Sequence, residues 1–297
     1  MVPGGPEFSR LVYGTWRLLD DVEAAAPERL LSRMRLCVER GITTVDTAEV
    51  YGAYEVEERV GAALRLDKGL RSKLEIVTKC GIYVPVPRHP DRKTAHYNAS
   101  ADRIVKSAEK SLRLLGTDYL DVLLIHRPDW LTPAAETAAG FERLLESGKV
   151  RSVGVSNYDM AQFDALQSCL RQPLVTNQIE LSLFHTAPLT DGTLSHCERR
   201  GVKPMAWSPL GGGRLFRAGD ETSARVRAAC AALAPRYGNA APEALAIAWI
   251  LALPSQPVVV LGTNKVDRIE ASVAALSIHL AREDWFQLRE AACGRIP

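Results

Sequence analysis

Residues 43–52 read TTVDTAEVYG, a β-branched run that gives way to an acid and then to a tyrosine. The run TTV predicts a strand, which ends near Asp46 and breaks at once into a turn that carries Tyr51. A carboxylate and a phenol five positions apart either share a structural hydrogen bond or form half of a proton-transfer site. The residues that the other strands bring beside them decide between these two interpretations.

Short β-rich runs alternate with amphipathic segments along the rest of the chain. The predicted strands are LVYGTW (11–16), TTVDTA (43–48), LEIVTK (74–79), LDVLLIH (120–126), VRSVGVSN (150–157), LVTNQIEL (174–181), KPMAWSP (203–209) and VVVLG (258–262). The helical segments include PERLLSRMRLCVERG, SADRIVKSAEKSLRLLG, AAGFERLLESGKV and APEALAIAWILAL. Eight strands, each followed by a helix, predict an α/β protein with a single (β/α)8 barrel, the TIM barrel.

An open doubly wound sheet is the alternative arrangement of the same elements. That fold binds a dinucleotide at a Gly-rich turn, GxGxxG, after its first strand. Here strand one leads into WRLLDDVEAAAPERL, which lacks the motif. The barrel is therefore favoured, as one domain over residues 1–297, and its active site is expected at the C-terminal ends of the strands.

Charge and apolar content limit the class of partner. The chain of 297 residues has a net charge of +2, and its Lys and Arg are spread without a basic run. This balance gives no reason to expect nucleic acid or an anionic membrane as a partner. The start, MVPGGPEFSR, lacks the apolar core of a secretory signal. The longest apolar run, ALAIAWILAL (244–253), is too short to span a bilayer and predicts a buried helix.

The six cysteines lie far apart and include no CxxC pair. This pattern predicts reduced thiols in a cytoplasmic protein rather than a disulfide framework or a metal site. The oligomeric state is not readable from the sequence, and a monomer is the default expectation.

Residues 80–99, CGIYVPVPRHPDRKTAHYNA, form the longest connection without helical periodicity. A loop of this length in a compact domain is usually functional or disordered. Because it directly follows a predicted strand, we expect it to lie over the C-terminal mouth of the barrel.

Three predicted strands end in titratable residues. Strand two ends near Asp46 and leads to Tyr51, strand three ends at Lys79, and strand four ends at His126. Barrel geometry brings these ends to one cavity, where the group suggests proton transfer to a carbonyl oxygen. Lys79, held charged by Asp46, is expected to lower the pKa of the Tyr51 phenol. Neutral His126 is expected to donate a hydrogen bond to the carbonyl.

The last four predicted strands end in groups that suit a dinucleotide. GVSNY (154–158) offers Ser156 and Asn157, and TNQIELS offers Gln178, to an amide-bearing ligand. AWSPLGGGRLF (206–216) adds an aromatic ring, a serine and three glycines closed by Arg214, a combination that favours an anion. LGTNKVDRIEA (261–271) places hydroxyl, amide and basic groups at a helix start, which is typical of a phosphate site. These groups are Thr263, Asn264, Lys265 and Arg268.

The chain resembles the aldo-keto reductase family, and in particular a bacterial oxidoreductase branch of it. VDTAEVYG, VTKCGI and LLIHRPD resemble the family signatures that carry the acid, the tyrosine, the lysine and the histidine. GVSNY, TNQIELS, WSPLGGGRL and LGTNKVDRIEA follow in the family's order. The resemblance covers nearly all of the chain, from about Phe8 to the C-terminus. GTWRL near the start and LPSQPVVVLGTNK near the end suggest the bacterial branch.

The resemblance implies an NADPH-dependent carbonyl reductase that reduces aldehydes or ketones to alcohols by hydride transfer. It implies Tyr51 as the general acid, supported by Asp46, Lys79 and His126, and no metal. The residues implied to bind the cofactor are Ser156, Asn157 and Gln178 at the nicotinamide carboxamide, Trp207 on the nicotinamide ring, Ser208, Leu210, Gly212 and Arg214 along the pyrophosphate, and Thr263, Asn264 and Arg268 at the 2′-phosphate.

Two positions depart from the family's pattern. Many members have Lys where Gly262 stands, and Glu-Asn near the adenine where this chain has Ala271-Ser272. NADH is therefore an alternative cofactor, and Lys265 is a candidate to replace the lost charge.

Two other functions are compatible with a barrel of this kind. A non-catalytic NADP(H)-binding redox sensor or partner protein would bind the cofactor without useful turnover, and the intact set of four residues argues against it. An aldolase would form a Schiff base on Lys79, and the cofactor-type strand ends argue against it.

Aromatic residues after strand ends and in the long loop are candidates for the substrate pocket. They are Trp16, Tyr83, His96, Tyr97 and Trp130. A roomy, mostly apolar pocket would accept many aldehydes. The sequence therefore predicts broad specificity and leaves the physiological substrate open.

Overall fold

Eight parallel strands close into a barrel in the computed structural model, which describes residues 5–295. Residues 1–4 and 296–297 of the expected domain lie outside the described residues. The barrel strands are β1 (Leu11–Gly14), β2 (Thr44–Asp46), β3 (Glu75–Cys80), β4 (Leu120–Ile125), β5 (Val150–Ser156), β6 (Asn177–Glu180), β7 (Met205–Trp207) and β8 (Val258–Leu261). Each strand pairs with its neighbours along the chain, and β8 pairs with β1, which confirms the predicted (β/α)8 fold.

The observed strands are mostly shorter than the predicted runs, and the run 203–209 shows why. Pro204 has no N–H group to donate to a neighbouring strand. Ser208 has a φ of 53°, which lies outside the range of a strand. The strand is therefore limited to Met205–Trp207.

Helices follow the strands and cover the barrel. The helices of eight residues or more are α1 (Pro27–Glu39), α2 (Val56–Leu66), α3 (Ala101–Leu115), α4 (Ala134–Glu146), α5 (Met160–Gln167), α6 (Thr193–Arg200), α7 (Glu221–Leu233), α8 (Pro242–Leu251), α9 (Val266–Val273) and α10 (Arg282–Cys293). Shorter helices are at Tyr51–Tyr54 and Lys68–Arg71, with 3-10 turns at Leu18–Asp20, Ala187–Leu189, Gly211–Phe216, Ala234–Tyr237 and Ala274–Ser277.

Alternation along the strands divides the apolar side chains into two layers. The barrel interior holds the cluster Val12, Val77, Val122, Leu124, Val175, Met205, Val258 and Val260. Outward-facing residues such as Val45, Ile76 and Val155 belong to the larger core between strands and helices. Residues two positions apart share a face, so Lys79 follows Val77 and His126 follows Leu124 into the interior. The strands thus deliver polar side chains above an apolar floor.

The apolar run 244–253 forms α8, as predicted. All seven residues from 244 to 250 are buried against the rest of the protein. Within residues 5–295, none of the helices combines the length and apolar content that crossing a bilayer requires.

The 80–99 connection contains a small antiparallel strand pair that the sequence did not predict. Ile82–Tyr83 pairs with His96–Tyr97. Tyr83 is buried, and its hydroxyl lies 3.2 Å from Ser107 Oγ on α3. The start of this loop is therefore anchored against α3.

Candidate active site

The turn after β2 positions Tyr51. It contains three consecutive residues with positive φ: Gly52 at 53°, Ala53 at 53° and Tyr54 at 73°. Such angles are readily adopted by glycine and are strained for other residues. A Cβ on Gly52 would also lie only 2.4 Å from Leu19 Cδ1. The turn keeps Tyr51 close to β3, where its Oη lies 2.9 Å from Lys79 Nζ.

Lys79 connects the polar groups below the cavity. Its Nζ donates to Thr47 O at 2.9 Å and to Tyr51 Oη at 2.9 Å, and it lies 2.7 and 2.9 Å from the two carboxylate oxygens of Asp46. Gln178 extends the chain, because its Nε2 donates to Asp46 Oδ1 at 2.7 Å. Lys79 is fully buried, and these contacts use its three N–H donors. An amine held in this way is poorly placed to form a Schiff base.

The pKa shift of Tyr51 has the opposite direction from the sequence-based expectation. Burial, together with the charge of Asp46, raises the pKa of Tyr51 well above its ordinary value of 10. The prediction from the sequence that Lys79 lowers this pKa is therefore wrong. Burial also lowers the pKa of Lys79 itself, against the opposing effect of Asp46. The ion pair of Lys79 and Asp46 therefore leaves little net positive charge beside the phenol, and Tyr51 keeps its proton at neutral pH.

His126 lies beside Tyr51 at the end of β4. The two ring centroids are 5.7 Å apart in an edge-to-face arrangement. Burial, with the charges of Lys79 and Arg127, holds the pKa of His126 well below 6.5. His126 is therefore neutral near pH 7, as the sequence predicted, and a neutral imidazole can donate one hydrogen bond to a carbonyl.

A cavity of about 350 Å³ opens at this end of the barrel. The predicted site residues that line it are Trp16, Asp46, Tyr51, His126, Ser156, Asn157, Gln178, Trp207, Ser208, Leu210, Gly212, Thr263 and Arg268. Trp16 packs edge-to-face against Tyr51 with ring centroids 4.9 Å apart, and it is 60% exposed. The cavity thus runs from Tyr51 to the start of α9.

The predicted carboxamide-binding residues form one hydrogen-bonded group. Ser156 Oγ donates to Gln178 O at 2.9 Å and accepts from Asn157 Nδ2 at 2.8 Å. Trp207 Nε1 donates to Asn157 Oδ1 at 3.1 Å. Asn157 and Ser208 both have positive φ, at 59° and 53°. Strained backbone of this kind is concentrated at binding sites.

Two predicted cofactor residues do not line this cavity. Arg214 forms an ion pair with Asp220 and lies over the Phe184 ring, 5.0 Å from its centroid. Asn264 Nδ2 donates to Arg17 O at 2.7 Å, and its Oδ1 lies 3.4 Å from Tyr13 Oη. Both side chains are therefore held by other protein groups.

Four of the five aromatic residues proposed for the substrate pocket also lie outside this cavity. Tyr83 is buried against α3, and it stacks on His96 with centroids 5.3 Å apart. Tyr97 packs edge-to-face on Trp130, which is 82% exposed. These rings pack on one another or on α3, and Trp16 is the member of the set that lines the cavity.

The cavity includes charged residues that the sequence analysis did not select. They are Arg17, Arg127 and Glu243. Arg17 Nη2 donates to Gly212 O at 3.0 Å and so joins the loops after β1 and β7. Arg17 directly follows Trp16, and Arg127 directly follows His126. Their positions next to predicted site residues at strand ends could have identified both arginines. Glu243 lies in the first turn of α8, where an acid usually marks a helix start.

The loop after β7 has room for a ligand close to its backbone. Gly212 and Gly213 have φ of 63° and 90°, and a Cβ added at either would meet nothing within 4 Å. The same is true of Gly262 after β8. Exposed backbone with Arg17 and Arg268 nearby suits the phosphates of a dinucleotide. Within residues 5–295, no group of three or more His, Cys, Asp or Glu is arranged to hold a metal ion.

Comparison with known proteins identifies the class of this barrel. The model of the aldo/keto reductase family matches residues 10–292. The chain belongs to this family, as the sequence predicted, and it is an NAD(P)H-dependent oxidoreductase.

Several bacterial proteins are similar over almost their whole length. The chain is 45% identical to 6-dehydroglucose reductase of Agrobacterium fabrum, covering 97% of this chain and 96% of that protein. It is 46% identical to oxidoreductase YdhF of Escherichia coli, covering 99% and 97%. A solved aldo/keto reductase of Klebsiella pneumoniae, in complex with NADP and acetate, is 29% identical with a TM-score of 0.77 and covers 96% of this chain and 92% of its own.

Proposed function

We propose that this protein reduces an aldehyde or ketone to an alcohol with NADPH, and that Tyr51 is the general acid. The observation that carries the proposal is the contact of 2.9 Å between Tyr51 Oη and Lys79 Nζ at the catalytic end of the cavity. Tyr51 Oη accepts this hydrogen bond, so its own proton is available to a substrate. Family membership supports carbonyl reduction in general, and the catalytic role of Tyr51 is the specific part of the proposal.

The residues of the cavity fit the parts of a dinucleotide in order. Trp207 offers a ring for stacking on the nicotinamide, next to the amide and hydroxyl groups of Asn157 and Ser156. Gly212 offers approachable backbone for the pyrophosphate, and Arg268 offers charge at the far end. The Klebsiella pneumoniae relative is described with NADP, which supports NADPH as the cofactor of this chain.

Gln178 links the group around Asp46 to the proposed binding site of the nicotinamide carboxamide. Its Nε2 is engaged by Asp46, which leaves its Oε1 to accept from the nicotinamide carboxamide. Asn157 is held from both sides by Ser156 and Trp207. The proposed carboxamide-binding group is therefore preorganised by its own contacts, and the hydrogen bond between Gln178 and Asp46 joins it to Lys79.

Phosphate recognition differs in detail from the family-based expectation. Arg268 and Thr263 line the cavity and are proposed to bind the 2′-phosphate. Arg17 takes the position along the pyrophosphate that was expected of Arg214, because its side chain reaches Gly212. Asn264 is proposed to act indirectly, by holding the backbone of Arg17.

The proposed mechanism assigns one task to each catalytic side chain. NADPH, when bound, supplies a hydride to the carbonyl carbon. His126, neutral at pH 7, donates a hydrogen bond that orients the carbonyl oxygen, and Tyr51 transfers its proton to that oxygen. Lys79 stabilises the phenolate that this transfer produces. Asp46 keeps Lys79 charged and in place through contacts of 2.7 and 2.9 Å.

The test of this function is NADPH oxidation by the purified protein with a panel of carbonyl compounds. The panel contains aromatic aldehydes, aliphatic aldehydes, diketones and 6-dehydroglucose, because one relative is named for that substrate. We expect absorbance at 340 nm to fall only when a carbonyl compound is present, with the corresponding alcohol as product. Tight NADPH binding without turnover on any member would instead support a redox sensor.

A further inference from the structure

Arg127 is a charged residue of the cavity that the proposed mechanism does not use. It directly follows His126, lines the cavity and is half-buried. Its guanidinium carbon lies 5.9 Å from the centroid of the Trp207 ring. Within residues 5–295, no carboxylate or carbonyl receives a hydrogen bond or ion pair from its side chain. Arg127 therefore presents its N–H donors to the catalytic end of the cavity without a protein acceptor.

The other cations near the cavity have other tasks. Lys79 is satisfied by Asp46 and by two further oxygens. Arg17 is bound to Gly212 O, and Arg268 lies at the far end, 5.3 Å from the centroid of the Phe216 ring. Arg127 directly follows His126, and within residues 5–295 its side chain makes no comparable hydrogen bond or ion pair. Its charge also acts on the catalytic groups, because it contributes to the low pKa of His126.

We propose that Arg127 binds a carboxylate of the substrate, so that the carbonyl compound reduced is an aldehyde or ketone that also carries a carboxylate group. This inference rests on the proposed function. A guanidinium matches a carboxylate with two parallel N–H···O hydrogen bonds, and the match is stronger where water is partly excluded. A half-buried arginine without a protein partner is therefore most simply completed by an anion on the ligand.

The geometry also indicates the shape of such a substrate. The reacting carbonyl lies between Tyr51 and His126, and the carboxylate lies at Arg127 on the side of Trp207. The exposed ring of Trp16 also lines the cavity and packs against Tyr51. Because Arg127 directly follows His126 and both line the cavity, a compact body such as a benzene ring suits the space between the carbonyl and the carboxylate.

The test compares 4-carboxybenzaldehyde with its neutral methyl ester as substrates of the wild-type protein and of Arg127→Met. The two aldehydes differ in electronic reactivity, but this difference cancels when the ratio of their kcat/KM values is compared between the two proteins. We expect Arg127→Met to lower this ratio by about tenfold or more, mainly through KM of the carboxylate. Arg127→Lys should recover part of the preference. Arg59→Met, at an exposed position of α2 that does not line the cavity, is the matched control.

A ratio that is the same in wild type and Arg127→Met would overturn the inference while leaving the reductase function intact. It would mean that Arg127 makes no contribution to recognition of a carboxylate. If no carbonyl compound of the panel is turned over, these two aldehydes included, the proposed function fails, and binding still tests Arg127. Quenching of tryptophan fluorescence by 4-(hydroxymethyl)benzoate should then be stronger than by its methyl ester, and Arg127→Met should remove this difference. Equal binding of acid and ester to the wild type would contradict the inference.

Discussion

Lys79 and Asp46 form a buried ion pair beside the phenol of Tyr51. Its Nζ touches both Asp46 and Tyr51 within 2.9 Å, and all three side chains are more than nine-tenths buried. Because Asp46 balances the charge of Lys79, the phenol is not forced to ionise. Tyr51 thus keeps its proton in the resting state, as the proposed role of general acid requires, and Lys79 is proposed to act when negative charge develops on Oη.

The raised pKa of Tyr51 predicts where the phenol titrates in the protein without cofactor. The ultraviolet difference between wild type and Tyr51→Phe near 295 nm reports this ionisation. We expect the phenolate signal of Tyr51 to appear only above pH 10, since burial and Asp46 both oppose the charged form. Reduction should be lost only as the pH rises through the raised pKa of Tyr51, because the phenolate has no proton to donate. A phenolate signal between pH 7 and 9 would contradict this assignment.

At the residue scale, the sequence predicted the identity of the site better than its electrostatics. Asp46, Tyr51, Lys79 and His126 were recognised from their positions at strand ends, and the structure brings them together. The direction of the pKa shift of Tyr51 could not be predicted, because it depends on burial and on the distance between Asp46 and Lys79.

Elements around β3 contain a second titratable group, Glu57. It lies on α2, is 1% exposed and accepts a hydrogen bond of 2.7 Å from Thr78 on β3. Burial raises its pKa to about 7, and the hydrogen bonds from Thr78 and Ser111 only partly oppose this shift. The side chain faces the helix layer, on the opposite face of β3 from Lys79.

Glu57 predicts a pH dependence of the stability of the α2–β3 packing. The native state keeps the proton up to about pH 7, whereas the unfolded chain loses it near 4.5. The stabilisation is therefore complete below pH 4.5 and is lost as the pH rises through 7. The free energy of unfolding of the wild type, measured with urea, should be larger at pH 5 than at pH 8. Glu57 should account for on the order of 2 to 3 kcal/mol of this difference.

Glu57→Gln should reduce that difference, because an amide keeps the hydrogen bond from Thr78 without titrating. Glu58→Gln, the exposed neighbour on α2, is the matched control and should leave the difference as it is in wild type. Equal pH dependence in Glu57→Gln and wild type would contradict the role assigned to Glu57.

At the element scale, periodicity predicted the strands and helices but not the loops. The apolar strands and the amphipathic helices were found because their side chains repeat every two residues or every three to four. The strand pair within 80–99 and the fold-back of the loop after β7 depend on contacts made far along the chain. Tyr83 with Ser107, and Arg17 with Gly212, are examples that no local pattern specifies.

The whole molecule acts as a frame that joins the two ends of the chain around the cavity. β1 pairs with β8, and Trp249 on α8 stacks on Trp285 on α10 with ring centroids 4.8 Å apart. Each of these indoles donates its Nε1–H to the backbone oxygen of the other. Closure of this frame holds the start of α9, which carries Arg268, against the cavity. The cytoplasmic location and the monomeric state stay predictions.

Because the cavity is built by several strand ends, cofactor binding should stabilise the whole barrel. NADPH at 100 times its Kd should add about 2.7 kcal/mol to the free energy of unfolding. NADH at the same concentration should add less, because it lacks the phosphate proposed for Arg268. Thermal unfolding with each cofactor measures the difference, and Arg268→Met should reduce it. Arg59→Met, at an exposed position of α2 outside the cavity lining, is the control. Equal stabilisation by NADH and NADPH in the wild type would contradict the phosphate assignment.

The most direct test of the central claim is NADPH oxidation by Tyr51→Phe, with the Kd for NADPH measured on the same samples. Tyr54→Phe is the matched control, because Tyr54 is also buried and its hydroxyl binds the backbone of residues 82 and 84 rather than the cavity. If Tyr51 is the proton donor, Tyr51→Phe should lose about 100-fold or more of kcat while still binding NADPH. Tyr54→Phe should oxidise NADPH at a rate close to that of the wild type. Turnover by Tyr51→Phe close to that of the wild type would contradict the account.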